Sequence, residues 1–168
     1  NFSYHANDPS VGFSLHADYD CFKLFLADTG LFVTLAFMDR YYTDNVIYTK
    51  LLSDKLAVDL GYVYENAIAQ MLKSSGNELF YYTFQEEIVK EEEGSKTVRN
   101  YEVDFLLSRR DKICPIEVKS SGYKSHKSLD VFHDKFSSRI LHRYLLYTKD
   151  LRKDKDIFCL PAYMAGLI

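Results

Sequence analysis

Two alternating apolar segments separated by five residues constrain this chain more than anything else in it. They are residues 101–107 (YEVDFLL) and 113–119 (ICPIEVK), with the polar turn SRRDK between them. Side chains alternate along a strand, and so short a connection pairs two strands antiparallel. On that reading Val103, Phe105 and Leu107 share the core face of the first strand, and Glu102, Asp104 and Leu106 the other. In the second strand Cys114, Ile116 and Val118 face the core, and Pro115, Glu117 and Lys119 face away. The pairing brings Asp104 towards Glu117 and Lys119.

The period before this hairpin is different. Leu56, Leu60, Val63, Ala67 and Met71 recur at three- and four-residue steps, which predicts an amphipathic helix. Ser53-Asp54 is a plausible N-cap and Gly76 a C-cap. A second stripe, Tyr64, Ile68 and Leu72, lies on the same helix and would be a docking surface if exposed. Residues 79–84 (LFYYTF) read as a strand from their aromatic content. The acidic run Glu91–Glu93 reads as a solvated hairpin tip. After the hairpin, Leu129, Phe132, Phe136 and Ile140 mark a second helix with Ser128 near its cap. Strands follow over 141–147 and 157–160, with a charged turn between them.

Residues 1–20 look loop-rich, and 21–38 form a long apolar run broken at Asp28-Thr29-Gly30. That run suits either a broken helix or a strand followed by a helix. The expected plan is therefore an N-terminal extension over 1–53, partly helical, and an α/β domain over 54–168. The domain would be a mixed sheet with a helix on each face.

Composition excludes several function classes. Three scattered cysteines give neither a disulfide framework nor a zinc spacing. No histidine pair has metal-ligand spacing, and no Ser/His/Asp triad is legible. The P-loop pattern GxxxxGK[ST] is absent, so ATP binding by that route is excluded. No apolar run is long enough for a membrane span, and no signal segment opens the chain, which suggests a cytoplasmic setting without membrane contact. The first residue is Asn1, which suggests a piece of a longer protein. Net charge is −3, split into an acidic excess of eight over 1–98 and a basic excess of five over 99–168. A basic half attracts phosphates.

Asp104, Glu117 and Lys119 then carry a chemical meaning. Mg²⁺ or Mn²⁺ takes hard oxygen ligands and keeps several waters, so one or two carboxylates plus a substrate phosphate suffice. A neighbouring lysine orients the attacking water or neutralises developing charge. Glu65, in the middle of the preceding helix, offers a third carboxylate. The plainer alternative is a surface salt bridge on the wet face of a hairpin. Lys124, Lys127, Lys135, Arg139 and Arg143 follow the motif and are candidates to line a nucleic-acid backbone, with Tyr123 and Tyr144 as stacking platforms. A solvated helix face explains the same residues.

A helix bearing a glutamate, then D in one strand, E-x-K in the next and a helix after it resembles the PD-(D/E)XK nuclease superfamily. More narrowly, the chain resembles the uncharacterised C-terminal domain attached to bacterial and archaeal AAA-type ATPases. The matching pieces are KLFLADTGL (23–31), GYVYEN (61–66), FYY (80–82), EVDF (102–105), PIEVKS (115–120) and LP (160–161). Val103 stands where the superfamily name has proline. The resemblance implies a restriction-endonuclease-like mixed α/β sheet and an ATPase portion of the same parent chain, with a winged-helix segment, before Asn1. It implies Asp104, Glu117 and Lys119 as metal and catalytic positions, with Glu65 as a helper at the metal.

Three readings follow. One is Mg²⁺- or Mn²⁺-dependent hydrolysis of DNA. The second is an inactive nuclease-fold module that binds DNA or protein. The third is a structural domain, for instance one that forms a homo-oligomer.

Overall fold

The computed structural model describes residues 1–36, 60–89 and 96–168. The Ser53-Asp54 cap, the Leu56 helix start and the Glu91–Glu93 tip lie outside the described residues.

Eight strands form one mixed sheet, flanked by helices. The elements are β1 (Phe2–Ala6), α1 (Phe13–His16), β2 (Ala17–Leu24), α2 (Thr29–Ala36), α3 (Gly61–Ser74), β3 (Leu79–Val89), β4 (Lys96–Arg109), β5 (Lys112–Lys119), α4 (Lys127–Phe136), β6 (Arg143–Tyr147), β7 (Arg152–Asp154) and β8 (Ile157–Pro161). Strand order across the sheet is β2-β1-β3-β4-β5-β6-β8-β7. β3, β4 and β5 run antiparallel as a meander. β5, β6 and β8 run parallel, with α4 in the β5-to-β6 connection.

The hairpin holds, and it is longer than the apolar residues suggested. β4 and β5 pair down to Arg109↔Lys112, so only Arg110 and Asp111 make the turn. Arg110 sits at φ 60 there, the left-handed conformation that tight hairpin turns require.

α3 ends as its sequence demands. Gly76 adopts φ 84, and the amides of Gly76 and Asn77 donate to the carbonyls of Lys73 and Leu72. Its buried face differs from the expectation. Ile68, Ala69 and Leu72 are fully buried, with Tyr64 and Met71 packed beside them, whereas Val63 and Ala67 are only half-buried. The second apolar stripe is thus the core stripe and leaves no docking surface there. It packs on Phe105, Leu107, Cys114, Ile116, Val118 and Leu146. α4 covers the opposite face, where Phe132 meets Phe80, Phe84, Val103, Leu106 and Ile113. A helix on each face of the sheet is therefore correct.

The N-terminal residues are part of the sheet. β1 pairs parallel with β3 through Tyr4↔Phe80, and β2 pairs antiparallel with β1 as the sheet edge. Of the two readings of the 21–38 run, the strand followed by a helix holds over the described residues: β2 ends at Leu24, and α2 starts at Thr29, where the Asp28 carboxylate accepts the Leu31 amide at 3.0 Å. Buried Asn66 of α3 fastens this turn. Its Oδ1 accepts the Leu26 amide at 2.8 Å, and its Nδ2 donates to the Leu26 carbonyl and to Thr29 Oγ1, each at 3.1 Å.

Candidate functional site

The site begins with a fault in the ladder. Phe80 pairs with Leu106, yet Tyr82 pairs with Val103, so β4 carries one extra residue in this stretch. Such a bulge re-aims side chains and is common beside functional sites. It also breaks the simple alternation. Phe105 and Leu107 join the α3-side core as expected, but Val103 joins Leu106 on the α4 side. Asp104 stands at the break.

The β4–β5 register runs only from Phe105↔Ile116 to Arg109↔Lys112. Beyond it, the Val118 amide donates to Asp104 Oδ2 at 2.7 Å, where a strand carbonyl would otherwise accept. Glu117 and Lys119 close the same end of β5. Lys119 Nζ lies 2.7 Å from Glu117 Oε1. The Glu117 side chain is only 5% exposed, and among the described residues its buried Oε2 has no hydrogen-bond partner. An orphaned buried carboxylate oxygen is costly, and it needs an explanation.

The structure adds a residue that sequence reasoning missed. Lys23, from edge strand β2, pairs with Glu102 and lies 3.8 Å from Glu65 Oε2. Its ammonium also sits 5.2 Å from the centre of the Tyr81 ring. Lys23 belonged to a segment that carried the family resemblance, but only the β1–β3 pairing shows that it reaches the carboxylates. Asp104, Glu117, Lys119 and Glu65 thus form one cluster with Lys23 and Glu102.

Electrostatics tie the cluster together. Burial, and then the Glu65 carboxylate, push the Asp104 carboxyl from its ordinary 3.8 up to about 8; Glu117 adds to this, while the Val118 amide and Lys23 act against it. Asp104 as a whole residue is half-buried, but its carboxyl group is enclosed by protein. For Lys23, burial acts to lower its affinity for a proton. The hydrogen bond to Glu102, with the charges of Glu102, Asp104 and Glu65, outweighs this and holds the ammonium above its ordinary range. Lys119 behaves likewise: burial opposes, and Glu117 followed by Asp104 and Glu65 prevails.

Two lysines face three glutamates, so pairing leaves one carboxylate without a lysine of its own, and Asp104 is pushed towards its protonated form. Among the described residues, no group of three or more His, Cys, Asp or Glu side chains is arranged to hold a metal ion. The donor chemistry nevertheless suits a hard dication in two respects. Glu117 Oε2 lacks a partner, and Asp104 is crowded by like charge that a cation would relieve.

The expected nucleic-acid residues sit in different surroundings. Arg139 is held by Asp8 at 2.5 Å and lies over Phe136. Lys135 lies over Phe84 and Phe136. Lys124 and Lys127 flank the loop at the start of α4 instead. Arg143 is not a surface cation at all. It is 5% exposed and braces α4 against β6 and β8 through Asp130, Asp156 and the Leu129 carbonyl. Tyr144 is half-buried at the core margin, its ring against Phe158 and His142.

A family model described as "Domain of unknown function (DUF4143)" matches residues 60–164, more than half of the chain. The chain belongs to the DUF4143 family. No curated protein and no solved structure matches it. The DUF4143 match takes in Glu65, Asp104, Glu117 and Lys119, while Lys23 lies before it. No helix among the described residues of this DUF4143 chain is long and apolar enough to cross a membrane.

Proposed function

We propose that this DUF4143 domain is a restriction-endonuclease-like fold used as a DNA-binding module beside an ATPase portion of its parent chain. The observation that carries the non-catalytic part of the proposal is the internal lysine–carboxylate pairing of the cluster; DNA as the partner rests on the basic excess over residues 99–168. Lys119 occupies Glu117, Lys23 occupies Glu102 and approaches Glu65, and Asp104 stays largely protonated at pH 7. A site in which two lysines already sit on its carboxylates has less demand for a metal, and its fold does not fix a reaction. The cytoplasmic setting, the ATPase partnership and a homo-oligomeric state belong to the same proposal and rest on the sequence resemblance and composition.

The test combines fluorescence anisotropy on labelled DNA with incubation of supercoiled plasmid in Mg²⁺ or Mn²⁺. Binding without nicking is expected, with Asp104→Asn keeping wild-type affinity, because that variant removes a charge that is mostly absent already. Metal-dependent nicking that disappears in Asp104→Asn overturns the proposal.

One observation favours a second reading, metal-dependent phosphodiester hydrolysis. It is the buried, unpartnered Glu117 Oε2. In that reading Asp104 and Glu117, supported by Glu65, would hold Mg²⁺ or Mn²⁺. The ion supplies charge stabilisation at phosphate and a more acidic bound water. Lys119 then lets go of Glu117 and orients the nucleophile.

A further inference from the structure

Beside the cluster lies a groove of about 290 Å³, lined by Tyr123, Tyr147, Lys149, Asp150, Leu151 and Arg152. None of its residues belongs to the carboxylate–lysine cluster. Its position follows from the sheet. Lys119 on β5 and Tyr147 on β6 are register partners in a parallel ladder, so their side chains share a face about 4.8 Å apart. Tyr123 follows on the loop leaving Lys119, and its ring meets that of Tyr147 edge-on at 5.5 Å.

The lining pairs aromatic surface with cations. Lys149 Nζ sits 5.9 Å from the Tyr123 ring centre, and the Arg152 guanidinium 5.8 Å from that of Tyr147. Tyr147 is 1% exposed and serves as the floor, its hydroxyl donating to the Asp150 carbonyl and fixing the turn. Leu151 is 60% exposed at the rim. Lys149 and Arg152, with Lys124 next to Tyr123, outnumber the carboxylates beside them, Asp150 of the lining and Asp154. Arg152 engages Asp154 at 3.6 Å and the Cys159 side chain, and its five-donor fork retains N–H groups for a phosphate. The groove is shallow and open, and its volume is at the small end of ligand pockets, about that of one nucleotide.

We propose that this groove is a subsite for single-stranded nucleic acid. Lys149 and Arg152 take one backbone phosphate, and Tyr123 with Leu151 gives the adjoining base an apolar edge. Cations interleaved with aromatic surface are the means by which proteins bind single strands without reading sequence. A strand seated here continues past Tyr147 to Lys119 and Glu117, which makes the groove a flank of the cluster. The inference rests on the DNA-binding reading above.

The experiment is fluorescence anisotropy of the full chain with a labelled oligothymidylate and with a duplex of equal length, over a series of salt concentrations. Lys149→Ala is expected to weaken single-strand binding and to flatten the log–log salt slope by about 0.7, one phosphate contact. The double variant Lys149→Ala/Arg152→Ala should lose about tenfold or more. Both residues are exposed, and circular dichroism melting confirms folding; since Arg152 also packs on Tyr147, Lys124→Ala/Lys149→Ala provides a second charge deletion that leaves the floor untouched. Lys73→Ala, in the last turn of α3, should change nothing beyond weak screening. Wild-type binding with unchanged affinity and slope in both double variants overturns the subsite and leaves the DNA-binding module standing. Binding of duplex alone overturns the single-strand assignment. No binding of either nucleic acid by the wild type overturns both proposals.

Discussion

Replacing Asp104 by Asn should make this protein more stable, by an amount that depends on pH. In the folded state the Asp104 carboxyl holds its proton to about pH 8; in the unfolded chain it releases it near 3.8. Between those values the unfolded state binds fewer protons than the folded one, so stability falls as pH rises. Below the lower value both states are protonated and the penalty vanishes; above about pH 8 it levels off. At pH 7 the gap is about three units, which at about 1.4 kcal/mol each amounts to roughly 4 kcal/mol. Asn carries no charge, is nearly isosteric, and retains an oxygen to accept the Val118 amide. The variant should therefore match the wild type near pH 4 and exceed it by roughly 4 kcal/mol near pH 7, about 10 °C in Tm for a domain of this size. Urea denaturation of both proteins across that range measures it, since other titrating groups cancel in the difference. Two stability curves that stay parallel from acid to neutral pH would refute the claim that Asp104 is a buried, protonated acid.

Glu65→Gln removes the second-largest contribution holding Asp104 up, so the Asp104 midpoint observed by carboxyl carbon NMR should fall; an unmoved midpoint would separate Glu65 from the site. If a divalent ion does enter the cluster, it must displace the Asp104 proton, so Mn²⁺ titration near pH 7 should release about one proton per ion bound. Calorimetry in buffers of different ionisation enthalpy reads that release, and Glu117→Gln should abolish uptake; heat without proton release would mean the ion binds elsewhere. Asn66→Ala strands the Leu26 amide and carbonyl beneath α3 and should cost about 2 kcal/mol in urea denaturation. Arg143→Ala removes a buried guanidinium that ties half-exposed Asp130 and Asp156 and the Leu129 carbonyl together, and about 1–2 kcal/mol of stability should go. The same variant should leave the salt slope of DNA binding unchanged, since Arg143 faces no solvent.

Local pattern carried a good deal of this protein. Alternation and a short turn were enough to pair β4 with β5 and to place Asp104 near Glu117 and Lys119, because the hairpin is a contact between near neighbours in sequence. The period of α3 and its closing Gly76 were legible for the same reason: both depend on a single turn of backbone. The choice of which α3 stripe is buried was not, since Leu60–Val63–Ala67 and Tyr64–Ile68–Leu72 are both apolar. Packing against β5 and β6 decided for Ile68 and Leu72.

What the sequence alone determined was therefore the local chemistry: a helix with Glu65, a strand with Asp104, and a strand with Glu117 and Lys119. What only the tertiary structure decided was how those groups are charged and what surrounds them. The bulge that turns Asp104 onto the Val118 amide exists only once β3 and β4 are paired. Lys23 reaches Glu65 and Glu102 only because β1 lies parallel to β3, across more than seventy residues of chain. Arg143, which reads as a surface cation, is buried because Asp130 and Asp156 meet it from two different elements. A side chain's charge state is set by burial and by neighbours brought from far along the chain, and no local pattern encodes either.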